Sequence, residues 1–188
     1  MITKLFNLFR SKISDTVSRP VRVDSATHVL ETIEYEHHEI HSGSSYTADR
    51  NVELSSSANM DILLVTPVST KWPHMFYEIE SQAESLFTLY ESPTATAGTA
   101  IPAINRNRNV TKPATMTLSH TPTSITTGST ILRQHHLGAG KSFGGGARGV
   151  HEFVLKGNTK YLIRITNLTV SDNWVNIVIN WYEHTNKD

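Results

Sequence analysis

A chain of 188 residues suffices for one well-buried core and is short for two, and its balance of 17 basic against 17 acidic residues removes any global electrostatic reason to bind nucleic acid, an anionic membrane or an acidic substrate. No cysteine occurs, which excludes disulfides, thiolate nucleophiles and zinc sites built on sulfur. The 23 Thr and 19 Ser suit strand surfaces and turns better than helix interiors, so the expected class is all-β.

Residues 1–14 place Ile2, Leu5, Phe6, Phe9 and Ile13 at helical spacing, with Lys4, Arg10 and Lys12 among them, and predict a short basic amphipathic helix. Arg19-Pro20 stops any continuation, because a residue before proline is pushed toward extended geometry. Residues 1–25 are therefore expected to form an arm, and 26–188 the β domain. Leu5, Phe6, Phe9 and Ile13 are the candidate partner contacts on that arm. With no apolar run of about 18 residues and no secretion-type leader, the chain is expected to be soluble and unsecreted.

Between Val29 and Leu54 the sequence is mixed, with Ser42-Gly43-Ser44-Ser45 as a turn between two extended stretches. The densest histidine cluster, His37-His38-Glu39-Ile40-His41, falls here. On a strand, His37, Glu39 and His41 would share one face and could hold a metal, whereas the plainer reading is a polar strand edge. Met60 to Thr66 is a short apolar run ended by Pro67, as a buried strand would be. Met75 to Glu91 reads as a long extended stretch, with a helix conceivable around Ser81 to Glu84.

An internal echo follows. Leu89, Pro93, Thr94, Gly98, Thr99 and Ile101 recur as Leu118, Pro122, Thr123, Gly128, Ser129 and Ile131, spaced 29 residues at the prolines and 30 at the glycines. The expectation is two similar hairpins projecting from one end of a sandwich. Asn105-Arg106-Asn107-Arg108-Asn109 offers two arginines without aromatic neighbours for stacking bases, so Arg106 and Arg108 are candidates for a subunit-contact loop. His135 and His136 fall on opposite faces of any strand. Gly138-Ala-Gly-Lys-Ser142 lacks the spacing of a phosphate-binding loop and is followed by three more glycines, which predicts a flexible loop.

Val150 to Leu155, the turn Lys156-Gly157-Asn158 and Tyr161 to Leu168 read as a hairpin, with Gly-Asn supplying positive φ. The last strand alternates Val175, Ile177, Ile179 and Trp181 with Asn176, Val178, Asn180 and Tyr182, the pattern of a half-buried antiparallel strand. About eight short strands with frequent turns predict an antiparallel jelly roll or related β-sandwich. No nucleophile, paired-carboxylate or base arrangement stands out, so no catalytic residue, metal or cofactor is expected.

Asp61 to Pro67, Lys71-Trp-Pro-His74, Leu89 to Thr94 with Gly98-Thr99, and Asn105 to Arg108 resemble the head decoration proteins of tailed phages. So do Gly144 to Gly149, Glu152 to Leu155, Asn158 to Leu162, Thr166-Asn167 and Trp181 to His184. The resemblance covers roughly residues 55–185. It implies a jelly-roll body that forms a homotrimer, is made in the host cytoplasm, and sits on the outer surface of the virion capsid, clamping neighbouring major capsid subunits. The other reading is a receptor- or glycan-binding fibre tip, with Trp72, Tyr77, Tyr90 and Trp174 available to stack on sugars. A cupin-type metal enzyme would need His37, His41 and a third ligand to converge.

Overall fold

The computed structural model describes residues 12–14, 17–18, 35–128, 130–138 and 152–185. The chain divides into two compact units, Met1–His38 and Glu39–Asp188, beyond the expected end of the arm at residue 25. In the first unit β1 (Lys12–Ser14) pairs antiparallel with β2 (Val17–Ser18). Lys12 and Ile13, expected at the end of a helix, are therefore strand. The β-branched Ile13 and Val17 favour that geometry. Leu5, Phe6 and Phe9 lie outside the described residues.

Helix α1 (Tyr35–His41) carries the chain into the second unit, so the stretch read as a histidine-bearing strand is helical. Gly43, at φ 70°, ends it: the Gly43 and Ser44 amides donate back to the Ile40 and Glu39 carbonyls, at 3.0 Å each. The turn expected at Ser42–Ser45 is thus the exit of a helix.

The second unit is antiparallel β throughout its paired strands. In chain order these are β3 (Ser45–Leu54), β4 (Asn59–Val65), β5 (Lys71–Ser81), β6 (Ser85–Glu91), β7 (Thr94–Thr96), β8 (Thr99–Ile101), β9 (Ile104–Asn105), β10 (Thr117–His120), β11 (Thr123–Thr126), β12 (Thr130–Leu137), β13 (Phe153–Val154), β14 (Lys160–Asn167) and β15 (Asn173–Thr185). One sheet runs β12-β6-β14-β4-β10-β8, the other β13-β5-β15-β3-β9, and β7 pairs with β11 apart from both. The two sheets share one core. Ile62, Leu64, Phe87, Leu89, Ile163 and Ile165 come from the first sheet and meet Tyr46, Met75, Ile177, Ile179 and Trp181 from the second. The expected alternation on β15 holds, with Val175, Ile177, Ile179 and Trp181 all buried.

Successive strands mostly change sheet. β3, β5, β9, β13 and β15 lie in the five-stranded sheet, while β4, β6, β10, β14 lie opposite. The turn Lys156-Gly157-Asn158 is real, with Asn158 at φ 51°, yet it is an arch between sheets. Phe153 pairs with Met75 of β5, whereas Tyr161 pairs with Leu64 and Glu91 of β4 and β6, so the expected hairpin is absent. Pairing with remote partners won over the local turn. The segment 82–84, where a helix was conceivable, is a bend joining β5 to β6.

The echoed segments interlock rather than forming two hairpins. β6, β7 and β8 belong to the first copy and β10, β11 and β12 to the second, and β6 pairs with β12, β7 with β11, and β8 with β10. This is the pairing of a local two-fold axis, and the order of the six-stranded sheet obeys it about the β14-β4 pair. Ser92 and Thr121, each just before its buried proline, both take positive φ, at 57° and 53°. An added Cβ on Gly98 would lie 2.2 Å from the His120 carbonyl oxygen, and one on Gly128 would lie 2.1 Å from that of Glu91. Each glycine thus lets one copy's backbone pass over the other's turn. The extra residue of the second copy appears as a bulge: Thr123 faces Thr96 and Thr126 faces Thr94, with Ser124 at φ 52°.

Two buried phenols predict an alkaline limit to stability. Burial, and then the Glu183 carboxylate, push Tyr46 up from the ordinary 10.0 to about 12. Burial also pushes Tyr161 to about 12, against the Lys156 amide hydrogen bond and with help from Glu91. Both raised values favour the neutral phenol in the folded state, so their contribution is complete below pH 10 and is lost as the pH climbs from 10 to 12. The expected loss is roughly 2 to 3 kcal/mol per tyrosine. A urea titration at pH 9 and pH 11.5, with tyrosinate absorbance followed in parallel, measures it.

Candidate functional site

The described residues bring together a histidine-bearing titratable cluster on the outward face of the five-stranded sheet. His74 of β5 stacks on Tyr182 of β15, with centroids 4.6 Å apart and planes 15° from parallel. The two are register partners, which explains the contact. Glu152, just before β13, joins them: its Oε1 lies 2.5 Å from His74 Nδ1 and accepts the Tyr182 hydroxyl at 2.6 Å. His184 lies edge-on to His74 at 6.4 Å, and its Nδ1 is 3.4 Å from Oε1 of the buried Glu39. The group ties α1, β5, β15 and the approach to β13 together. The Ser42 hydroxyl adjoins it, donating to the Glu39 carbonyl at 2.9 Å and to Glu39 Oε2 at 3.3 Å.

The strand face on which His37, Glu39 and His41 could have met is not formed, because residues 35–41 are helical. In a helix His37 and His41 share one face while Glu39 is buried on another. Among the described residues no group of three or more His, Asp or Glu side chains could hold a metal ion. His135 and His136 do take opposite faces of β12, His135 lying 4.9 Å from the Phe87 ring. Of the glycine-rich stretch only Gly138 is among the described residues, and the loop expected at 139–149 lies outside them.

The arginine loop is built by its asparagines. Asn105, buried, donates through Nδ2 to the Gly43 and Lys112 carbonyls and accepts the Asn107 amide through Oδ1. Asn107 repeats the arrangement with the Asn109 amide and donates to the His41 carbonyl. Arg106 is half-buried, with its amide and guanidinium on Ser45 of β3, whereas Arg108 is exposed. The asparagines therefore fix the loop, and of the two arginines Arg108 faces solvent.

At the opposite end of the sandwich two fully buried asparagines fix another loop. Asn167 donates to the carbonyls of Leu54, Ser55 and Ser171 and accepts from the Thr169 amide and hydroxyl. Asn173 accepts the Ala83 amide and donates to the hydroxyls of Ser81 and Ser85. Between and beside them Leu168, Val170 and Trp174 are 41, 93 and 51% exposed. Such exposure costs apolar hydration, and the hydrogen bonds hold these side chains outward instead of letting them collapse. Sequence reading gave neither asparagine a structural role, although each sits where a strand meets a Ser/Thr-rich turn.

The four aromatics considered for sugar stacking do not converge. Tyr77 stacks on Phe87 of the core, at 4.7 Å, and Tyr90 belongs to the other sheet. Trp72 and Trp174 lie at opposite ends of the β5-β15 ladder, opposite His184 and beside the Ser81 pair respectively. Against this geometry the comparisons with known proteins add no relative: no family model matches, and no curated protein or solved structure is significantly similar.

Proposed function

We propose that this chain is a non-catalytic structural subunit that decorates the outer surface of a phage head, assembles as a homotrimer and stabilises contacts between major capsid subunits. In this reading the sandwich is of the jelly-roll kind, no metal or cofactor takes part, and neither nucleic acid nor membrane is a partner. The observation that carries it is the placement of large apolar side chains on and beside a loop immobilised by buried hydrogen bonds, Leu168 and Val170 in the loop and Trp174 at the start of β15, over Asn167 and Asn173. A rigid loop that keeps apolar groups in water suits a protein surface that buries them on assembly. The resemblance to decoration proteins supplies the capsid as that surface, and the amphipathic segment with Leu5, Phe6, Phe9 and Ile13 is a second docking element. Electron microscopy of purified particles tests the reading: uniform extra density over the shell is expected, density confined to the tail tip points to a receptor binder, and absence from particles overturns it. Deleting residues 2–14 is expected to lower occupancy on capsids while leaving the β domain folded.

A further inference from the structure

The net charge of zero conceals a polar axis. At the end formed by the Leu54, Ser81 and Asn167 termini of β3, β5 and β14, the described charged residues are Glu53, Glu80, Glu84 and Asp172, all exposed. Glu53 is the register partner of Trp174, and the Leu168 amide donates to the Glu84 carbonyl, so these carboxylates rim the apolar loop. No Lys or Arg stands among the described residues there.

The other end has the opposite balance. Lys71 opens β5, Lys160 opens β14, Lys156 lies in the arch between β13 and β14, and Arg106, Arg108 and Lys112 lie in the loop after β9. The carboxylates whose side chains are described there are withdrawn. Glu39 and Glu183 are buried, Glu91 is bonded to Lys156, and Glu152 to His74 and Tyr182. This end also carries exposed apolar side chains: Val68, Trp72, Ile104 and Val154 are 84, 36, 43 and 52% exposed. Trp72 faces His184 and Val154 faces His74 in the ladders, which places both beside the basic residues.

We infer that the acidic, apolar end of one copy docks on the basic, apolar end of a second copy of this chain. Each end offers what the other lacks, a carboxylate rim around Trp174 against a cationic rim around Trp72, and each would shield apolar surface that the other leaves in water. The contact is heterologous: two different patches meet, so it repeats, closing into a ring where the rotation allows and otherwise continuing as a stack. Two like ends would set carboxylate against carboxylate or cation against cation, which forbids the head-to-head alternative. The inference specifies the self-contact within the proposed assembly function and rests on that reading, although it needs no capsid to be tested.

The experiment is a charge swap read by sedimentation equilibrium of the full chain at low salt. One variant carries Glu53→Lys and Asp172→Lys, the other Lys71→Glu and Arg108→Glu. Wild type is expected to self-associate, more weakly at about 0.5 M salt than at 0.05 M. Each variant alone should associate at least about a hundredfold more weakly. Their equimolar mixture should associate again, at least as mixed pairs, since both kinds of contact between the two variants are of opposite charge, whereas a ring of three cannot alternate them and so keeps one like-charged contact. That recovery also shows that the variants are folded. Association unchanged by either reversal, or not restored on mixing, overturns the head-to-tail contact, and so does a wild-type monomer at about 100 μM. Occupancy of the same proteins on purified capsids reads the decoration function separately, so either idea can fail without the other.

Discussion

Replacing Gly128 with Ala is expected to destabilise the domain by at least about 4 kcal/mol, and Gly98→Ala by a similar amount. The new methyl would stand 2.1 Å from the Glu91 carbonyl oxygen in the first case and 2.2 to 2.3 Å from the His120 and Thr121 oxygens in the second. Both obstacles are backbone, locked into the β6-β12 and β10-β8 pairs, so relief requires unzipping a ladder at the crossing of the two copies. Gly157 is the control, because a Cβ there meets nothing closer than the Pro67 oxygen at 3.4 Å, and Gly157→Ala should change stability by less than about 1 kcal/mol. Urea unfolding of the three variants decides it. A loss at Gly98 and Gly128 no larger than at Gly157 would mean that the two copies do not cross as described.

The second large effect is expected at Glu183. This carboxylate is 3% exposed and accepts four hydrogen bonds: from the Thr115 and Met116 amides at 2.7 and 2.9 Å, the Thr115 hydroxyl at 2.8 Å and the Trp181 indole at 3.3 Å. It sits on the inward row of β15, beside the Tyr46–Trp181 stack, and pins segment 113–116 across the end of the core. Glu183→Ala strands those donors and opens a cavity, so a loss of about 3 to 5 kcal/mol is expected. Glu183→Gln keeps one acceptor oxygen and should fall between Ala and wild type. Equilibrium unfolding measures both, and equal stability of all three would show that the carboxylate is dispensable.

What was readable from sequence follows from how local each signal is. Period-two alternation declared β15, and the apolar run to Pro67 declared β4, because strand burial is written in adjacent residues. The hairpin at 156–158 and the paired hairpins of the echo failed for one reason: a turn's chemistry fixes the direction change but not the sheet in which the next strand lands. Glu39 and His74 illustrate the limit for the candidate site. Their partners, His184 and Glu152, lie far off in sequence, and only the ladders bring them within reach. The helix at 35–41 was hidden by a composition of histidines and glutamates that has no apolar stripe. The echo itself was visible, and its one-residue mismatch was the mark of the bulge at Ser124.

The central positions of β14 and β15 govern how the molecule can be made. β14 alone joins the β6-β12 pair to the β4-β10-β8 group, and β15 alone joins β5-β13 to β3-β9. Until residues 160–185 are available, four separate ribbons each present a raw edge, so neither sheet can close. Folding therefore proceeds through long-range pairing, at the slow end of the range for domains this size. Losing even the last strand would leave two halves of a sheet with nothing between them, whereas trimming the edge strands β9 or β13 would only narrow it.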